Sequence, residues 1–230
     1  MAPWRREKAT GRSTIAHTLA IFMFFLIIWH GLCFSETSVE AEVKEQRVAT
    51  VALDGSGDFS SVELAVDYLK GLGTGVQKVI RIKAGQYSIG KRMVLTDNWL
   101  IEGEGNPTLK RACQDESLIT NENGLPKKKS ASKNSEVTMR EITFDGQAAA
   151  YPQPYKLLIW FLNVDNVLIE NCRFNDSTGG SVTVLWASRV KISNCSFRSC
   201  HTVYFDRSSD CSLESCEIQN CSASGVNIFF

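Results

Sequence analysis

The sequence has no excess of charge of either sign, since 25 Lys and Arg residues balance 25 Asp and Glu residues over 230 positions. Its one basic run, Lys127-Lys128-Lys129, lies in a polar segment that is typical of a solvated loop. Proteins that bind nucleic acid through its phosphates carry clustered positive charge. The composition therefore predicts no nucleic-acid partner, while 43% apolar residues suffice for the core of one domain.

The sequence also lacks the spacing of a zinc site. Its eight cysteines include no C-x-x-C pair, and His201 is the only imidazole near them. We predict no metal and no cofactor. Calcium is an alternative, for which the sequence offers no cluster of acidic ligands.

Helical spacing is absent from residues 159–230, where one motif is instead written three times. The copies are V-L-I-E-N-C-R-F from Val167, V-K-I-S-N-C-S-F from Val190 and C-S-L-E-S-C-E-I from Cys211, at spacings of 23 and 21 residues. A weaker copy, V-T-M-R-E-I-T-F, begins at Val137. Repetition at a period just above 20 is typical of a solenoid, in which each repeat forms one coil stacked on the last.

Within each copy, apolar and polar residues alternate on either side of a two-residue break, which predicts two short strands with one buried face. A further strand precedes each copy, with Ile159, Val182, Val203 and Val226 in corresponding positions. Leucine-rich repeats and propeller blades have different spacings. The pattern therefore predicts an all-β fold, a single-stranded parallel β-helix over residues 48–230, whose coils place like residues on like residues.

The cysteines follow these columns. Cys172, Cys195 and Cys216 share one inward column, and Cys200 and Cys221 share another. We interpret them as small buried apolar side chains that form a ladder of thiols. Disulfides remain an alternative, with Cys200 and Cys221 as the best pair, although parallel Cβ vectors on neighbouring coils would strain such a bridge.

The first 35 residues have the layout of an export signal. Arg5, Arg6, Lys8 and Arg12 precede an apolar run over residues 19–29, and Cys33 and Ser35 suit a cleavage site. An uncleaved membrane anchor is the alternative, because residues 15–34 are long enough to span a bilayer. Either interpretation places the domain outside the cell or on its surface, after a flexible spacer over residues 36–47.

A short helix is predicted between the spacer and the coils. Ser60 and Glu63 fit a capping box, and Val62, Ala65, Val66 and Leu69 then follow helical spacing. The open end of a solenoid exposes core residues and unpaired backbone. We therefore expect this amphipathic helix to cover the first coil.

Alternation also predicts which side chains face outward on the strand that precedes each copy. Asp206 is the only acid among them, and its stacked neighbours Leu185 and Phe229 would raise the pKa of this carboxyl if they covered it. Asp176 and His201 lie in loops that lead into the strand. We predict Asp206, with Asp176 or His201, as catalytic acid–base candidates; the alternative is that Asp206 is a surface residue paired with Arg207 or Arg189.

Aromatic residues occupy the same predicted wall. Trp160, Trp186 and Tyr204 would present flat rings that suit the apolar faces of sugars. We predict that they bind substrate. The alternative is that these rings pack beneath a loop such as residues 148–156.

The opening V-A-L-D-G-S-G-D-F-S-S-V-E-L-A-V, followed by V-I-R-I-K-A-G-Q-Y and L-I-E-G-E-G, resembles the amino-terminal coils of the pectin-lyase-like superfamily, including pectin methylesterases. The resemblance covers residues 48–230 and implies a right-handed β-helix with an asparagine stack at Asn171 and Asn194. It also implies a pectin- or uronate-like glycan as partner. The methylesterase segments that carry an active-site Gln and two Asp are absent, and G-G-S-V-T-V-L-W from Gly179 stands where the first would fall.

Two functions remain open on this evidence. The first is an exported protein that binds polysaccharide or acts on it, as a polysaccharide lyase, glycoside hydrolase or carbohydrate esterase, although no complete catalytic motif is present. The second is a non-catalytic adhesion or structural module at the cell surface, in contact with the membrane only through an uncleaved N-terminal segment. Because Phe230 falls within a predicted strand, we expect further coils to follow it; the alternative is that a partner covers this end.

Overall fold

From Gln46 onward the chain winds repeatedly through three parallel sheets. The computed structural model describes residues 45–73, 75–124, 134–201, 203–221 and 226–229. The predicted export signal and most of the predicted spacer lie outside these residues. Each turn of the chain contributes one strand to each sheet, which confirms the predicted parallel β-helix.

The strands alternate between the sheets in chain order. Sheet A contains β1 (Gln46–Val51), β2 (Gln77–Lys83), β5 (Trp99–Glu104), β8 (Asn134–Arg140), β11 (Val164–Glu170), β14 (Ser188–Ser193) and β17 (Ser209–Glu214). Sheet B contains β3 (Gln86–Ile89), β6 (Thr108–Arg111), β9 (Thr143–Asp145), β12 (Arg173–Asn175), β15 (Ser196–Arg198) and β18 (Glu217–Gln219). Sheet C contains β4 (Met93–Leu95), β7 (Ser117–Asn121), β10 (Leu157–Leu162), β13 (Val182–Leu185), β16 (Val203–Asp206) and β19 (Val226–Phe229).

The register of these strands follows the columns of the sequence repeat. In sheet A, Val167 pairs with Val137 on one side and with Val190 on the other, and Val190 pairs with Cys211. A slip of one residue would turn the apolar side chains of a strand outward, so burial of one face fixes the pairing. The predicted stacking of the repeat copies is therefore confirmed.

Aromatic rings fill the interior where sheet B faces it. Phe144, Phe174 and Phe197 come from three successive coils and are at most 1% exposed. Their rings are stacked, with centroids 5.1 Å and 4.9 Å apart and planes inclined by 11° and 5°. This column shows how the repeat produces a continuous core without any helix crossing it.

The seven cysteines of the described region are free thiols, in agreement with the interpretation as a thiol ladder. Cys172, Cys195 and Cys200 are buried. The neighbouring Cys195 thiol and burial hold the pKa of Cys172 well above its usual range, and burial likewise raises the pKa of Cys200. Because the thiolate is the reactive form, these two side chains act as packing groups at neutral pH.

In four successive coils the bend between sheets A and B contains one left-handed residue. Glu141, Asn171, Asn194 and Ser215 have φ values of 60°, 54°, 53° and 52°. The backbone N–H groups of Asn171 and Asn194 donate to the next coil, while both side chains are exposed. Within the described residues their amides do not bond to each other, so asparagine is suited to this bend by its tolerance of positive φ.

The predicted helix is present as α1 (Val62–Lys70), and the four residues predicted to face the core are buried. It packs against β1, β2, β3 and β4, at the start of the solenoid. Its N-cap is Ser61, so the prediction of Ser60 was wrong by one residue: the Ser61 hydroxyl accepts from the Leu64 N–H at 3.4 Å. The Glu63 carboxylate closes no capping box with Ser60, because it accepts from Ser61 and from the Gly90 N–H.

One predicted boundary differs from the structure. β1 begins at Gln46, two residues before the predicted start of the domain, because these residues pair with β2. The A-G-Q-Y motif from Ala84 leads into β3, which begins at Gln86. The ring of Tyr87 is buried, and its hydroxyl donates to the Lys83 carbonyl at 2.9 Å.

Alternating charges stack on the outer face of sheet A. Glu102 accepts from Arg81 Nε at 2.9 Å and from Arg140 Nη2 at 2.6 Å, on the coils below and above it. Burial alone would raise the pKa of Glu102, but the bonds from Arg140 and Arg81 outweigh it and hold the pKa below its ordinary value. The carboxylate is therefore stabilised more in the folded than in the unfolded chain.

We expect this site to make stability depend on pH. A lowered pKa in the folded state contributes stability above the unfolded value, about 4.3 for glutamate, and the contribution is lost as pH falls through the folded pKa. Glu102→Gln should lower the free energy of unfolding by about 1 kcal/mol at pH 7, with a difference that shrinks below pH 4. Urea unfolding across pH measures this. Glu104→Gln, an exposed position on the same strand, is the control, and an equal effect of both variants would contradict the prediction.

Candidate functional site

A groove of about 500 Å³ lies on the outer face of sheet C. Its floor comes from the strands of three successive coils, and one wall comes from the loop between β9 and β10. The lining residues share small, apolar or aromatic side chains and are Pro154, Tyr155, Leu157, Trp160, Thr178, Gly179, Gly180, Thr183, Leu185, His201 and Tyr204.

The floor is organised by one outward column. Trp160 pairs with Thr183, and Thr183 pairs with Tyr204, so the two aromatic side chains lie two strands apart. At the usual separation of strands this places their backbones about 10 Å apart. The smaller Thr183 between them leaves a depression flanked by two rings. The structure thus brings together two of the three predicted aromatic residues.

A second column of lining residues lies just before the paired residues of these strands. Leu157, Gly180 and His201 each lie two residues before a paired residue, namely Ile159, Val182 and Val203. The glycine has no side chain to fill the space between Leu157 and His201. His201, which was predicted to lie in a loop leading into this strand, therefore reaches the groove.

Hydrogen bonds hold the loop wall against the coil above it. The Ser177 hydroxyl contacts the carbonyls of Lys156 and Gly179, both at 3.0 Å, and the Thr178 hydroxyl donates to Gln153 O at 2.8 Å. A Cβ on Gly179 would lie 2.8 Å from backbone atoms of Tyr155 and Lys156, so only glycine permits this close approach. The wall is fixed before any ligand arrives.

The predicted catalytic residues are not grouped in this way. Asp206 ends β16, with a side chain 34% exposed and Oδ1 3.9 Å from Arg207 Nε, as in the surface pairing considered as the alternative. Asp176 follows β12 at φ 56°, and its backbone N–H donates to Arg198 O. Neither carboxylate lines the groove, whereas His201 does. The catalytic role of these three residues stays a prediction.

Trp186 is separated from the other two aromatic residues. It lies just after β13 at φ 51° and is 47% exposed. The guanidinium of Arg207 lies over its ring, 5.5 Å from the centroid, and Trp186 does not line the groove. Alternation predicts the face of a strand, but Trp186 belongs to the turn that leaves it.

A second groove, of about 580 Å³, follows the bend between sheets A and B. Its lining is polar and includes Arg173, Arg198, Glu141 and Glu217. Arg173 donates to Asn106 Oδ1 at 3.0 Å, and Arg198 contacts Glu217 at 3.4 Å. The two outer surfaces of the solenoid therefore differ in chemistry, one aromatic and the other charged.

The described residues contain no group of three or more His, Cys, Asp or Glu side chains that could hold a metal ion. In the same part of the chain, no helix is long and apolar enough to cross a bilayer.

Comparison with known proteins supports the fold. Residues 131–230 match the family model described as the right handed beta helix region. No curated protein and no solved structure matches the chain. The match and the stacked parallel sheets together show a right-handed parallel β-helix fold, which is consistent with the pectin-lyase-like resemblance.

Proposed function

We propose that this β-helix protein binds polysaccharide along the groove of sheet C. The observation that carries the proposal is the pair Trp160 and Tyr204 in one outward column, with Thr183 between them. Flat aromatic rings pack against the apolar faces of pyranose sugars. Their backbone spacing of about 10 Å matches the length of a disaccharide unit rather than that of a single sugar.

The rigidity of the groove supports the same function. Tyr155, on the wall, is 79% exposed although the loop that carries it is tied down by Ser177 and Thr178. With Leu157 and Trp160, which also line the groove, this ring forms part of a contiguous apolar surface, and such surfaces mark interaction sites. Ordering the wall in advance lowers the entropic cost of binding, which favours recognition of an extended and flexible chain.

Binding is favoured over cleavage by the chemistry of the lining. General acid–base cleavage of a glycosidic bond needs two carboxyl groups within about 5–10 Å of each other. Among the described lining residues of the groove none is a carboxylate. We therefore place a non-catalytic module that binds glycan ahead of the glycoside hydrolase alternative.

The proposed location is extracellular or at the cell surface. It rests on the basic and apolar pattern of residues 1–35, whether this segment is cleaved or serves as an anchor. A structural polysaccharide of the cell exterior would then be accessible to the groove.

Native electrophoresis in gels that contain polysaccharides tests the binding function. We expect retardation of the wild-type chain by at least one polysaccharide, and a Kd weakened at least about tenfold by Trp160→Ala, as for a central aromatic contact. Tyr204→Ala should act in the same direction. Trp186→Ala removes an equally large exposed ring outside the groove and is the matched control, for which we expect no change.

Two results would count against this function. Retardation that survives both Trp160→Ala and Tyr204→Ala would place binding elsewhere, and an absence of retardation by every polysaccharide would remove it. Release of reducing ends that is lost in Asp206→Asn would instead support the catalytic role predicted for Asp206. Circular dichroism of each variant establishes that the fold is retained.

A further inference from the structure

We infer that the groove of sheet C takes a neutral polysaccharide and discriminates against polyuronates. The inference rests on the proposed function and names its substrate class. It reverses the uronate-like partner that the family resemblance implies. The observation is that no lysine, arginine, aspartate or glutamate occurs among the described residues that line the groove.

Arg111 is buried and donates to the carbonyl of Leu157, a lining residue. Two further cations beside the groove are also committed elsewhere. Lys156 follows the wall residue Tyr155, but its Nζ donates to the Gln114 carbonyl. Arg207 comes directly after Asp206, which pairs with the lining residue Leu185, but its guanidinium lies over the Trp186 ring. Neither side chain provides a positive charge at the floor where Trp160 and Tyr204 would hold the sugar rings.

A polyuronate would therefore bring one carboxylate per sugar against Leu157, Leu185 and the aromatic rings. Removing a charge from water without a partner costs much more than removing a hydroxyl that finds a hydrogen bond. A neutral sugar meets no such cost, since its apolar face covers the rings. Its hydroxyls can bond to His201, whose imidazole both donates and accepts.

The second groove, at the bend between sheets A and B, differs from the groove of sheet C in its charge. It contains Arg173 and Arg198, whose guanidinium groups suit carboxylates. The fold thus offers charged side chains at an outer surface, but not on the aromatic one. The lack of lysine, arginine, aspartate and glutamate is therefore a property of the described lining of the sheet C groove and not of the whole solenoid.

The test compares two kinds of polysaccharide on the full chain. Xyloglucan and glucomannan serve as neutral probes, and polygalacturonate serves as the acidic probe. We expect the Kd for a neutral probe to be at least tenfold lower than that for polygalacturonate. Trp160→Ala should abolish this preference and Trp186→Ala should keep it. The Kd for the neutral probe should not change when the ionic strength is raised. Insensitivity to salt is informative because ion pairs at an exposed surface weaken as salt screens them.

Each other outcome overturns the inference in a distinguishable way. Preference for polygalacturonate that depends on Trp160 would refute neutral specificity and leave glycan binding in the groove standing. Polygalacturonate binding that is lost in Arg173→Ala but not in Trp160→Ala would show that the polysaccharide binds in the second groove, at the bend between sheets A and B. That result would refute both proposals. Binding of neither kind of probe would also refute both.

Discussion

Replacing Phe174 with alanine is expected to destabilise the fold by about 3–5 kcal/mol, which is the usual cost of truncating a buried phenylalanine. The ring is fully buried and stacks between Phe144 and Phe197 on the coils below and above. A cavity at this point would remove contacts on both faces. The effect should appear as a lower free energy of unfolding in urea or guanidinium chloride.

Ile218→Ala is the matched control for this substitution. Ile218 continues the same column, since it pairs with Phe197, but it is 37% exposed. We expect a loss of about 1 kcal/mol, because little further apolar area is removed from contact. Phe174→Leu keeps most of the volume and should cost about 1–2 kcal/mol if the alanine variant does not fold. Equal losses for Phe174→Ala and Ile218→Ala would contradict the stacked core.

Replacing Asn121 with alanine is expected to cost about 2–4 kcal/mol, because it leaves buried polar groups without partners. The Asn121 side chain is fully buried, and its amide makes hydrogen bonds to backbone groups of the neighbouring strand in sheet C. Its Oδ1 accepts from the Leu162 N–H at 3.0 Å, and its Nδ2 donates to Leu162 O at 2.8 Å. Nδ2 also donates to Asn134 Oδ1 at 2.9 Å.

Asn106→Ala provides the comparison for this prediction. Asn106 is exposed, and its side chain accepts one bond, from Arg173. Because Asn106 has φ 55°, a conformation that alanine tolerates less well than asparagine, we expect a loss of about 1 kcal/mol, which is smaller than the loss for Asn121→Ala. Thermal or urea unfolding of both variants measures the difference. A loss in Asn121→Ala no greater than in Asn106→Ala would show that Asn121 does not bridge the coils.

The stacking of the coils was predictable because each copy of the repeat has the same alternation of apolar and polar residues. Cys172 and Cys195 occupy equivalent places in their copies, and equivalent residues pair in parallel strands. The N-cap at Ser61 was missed by one residue for a different reason. Glu63 accepts from Gly90 on another coil, and a capping pattern read along the chain contains no information on such a contact.

Of the candidate site, only the strand residues that form the groove floor could be predicted from the sequence. Alternation placed Trp160 and Tyr204 on the outer face, but the groove also needs the loop that carries Tyr155. That loop is fixed through Ser177 and Gly179, more than 20 residues away in sequence. Asp206 faces outward as predicted, yet it lies beyond the groove, because strand alternation specifies a face and not a position along it.

The Asn121 network could not have been predicted from the repeat. The side chain pairs with Leu162, which lies 41 residues later in the sequence. A buried asparagine in one coil leaves no periodic signal. Such interactions emerge only when the strands are assembled.

Nuclear Overhauser effects between strands of sheet C test the account most directly, since the register of this sheet places the two rings on one groove floor. The account predicts backbone cross-peaks that connect Trp160 to Thr183 and Thr183 to Tyr204. Cross-peaks that connect Trp160 to Val182 or Val184 as its direct partner would show a slip of one residue. That result would turn the rings away from the groove and contradict the account.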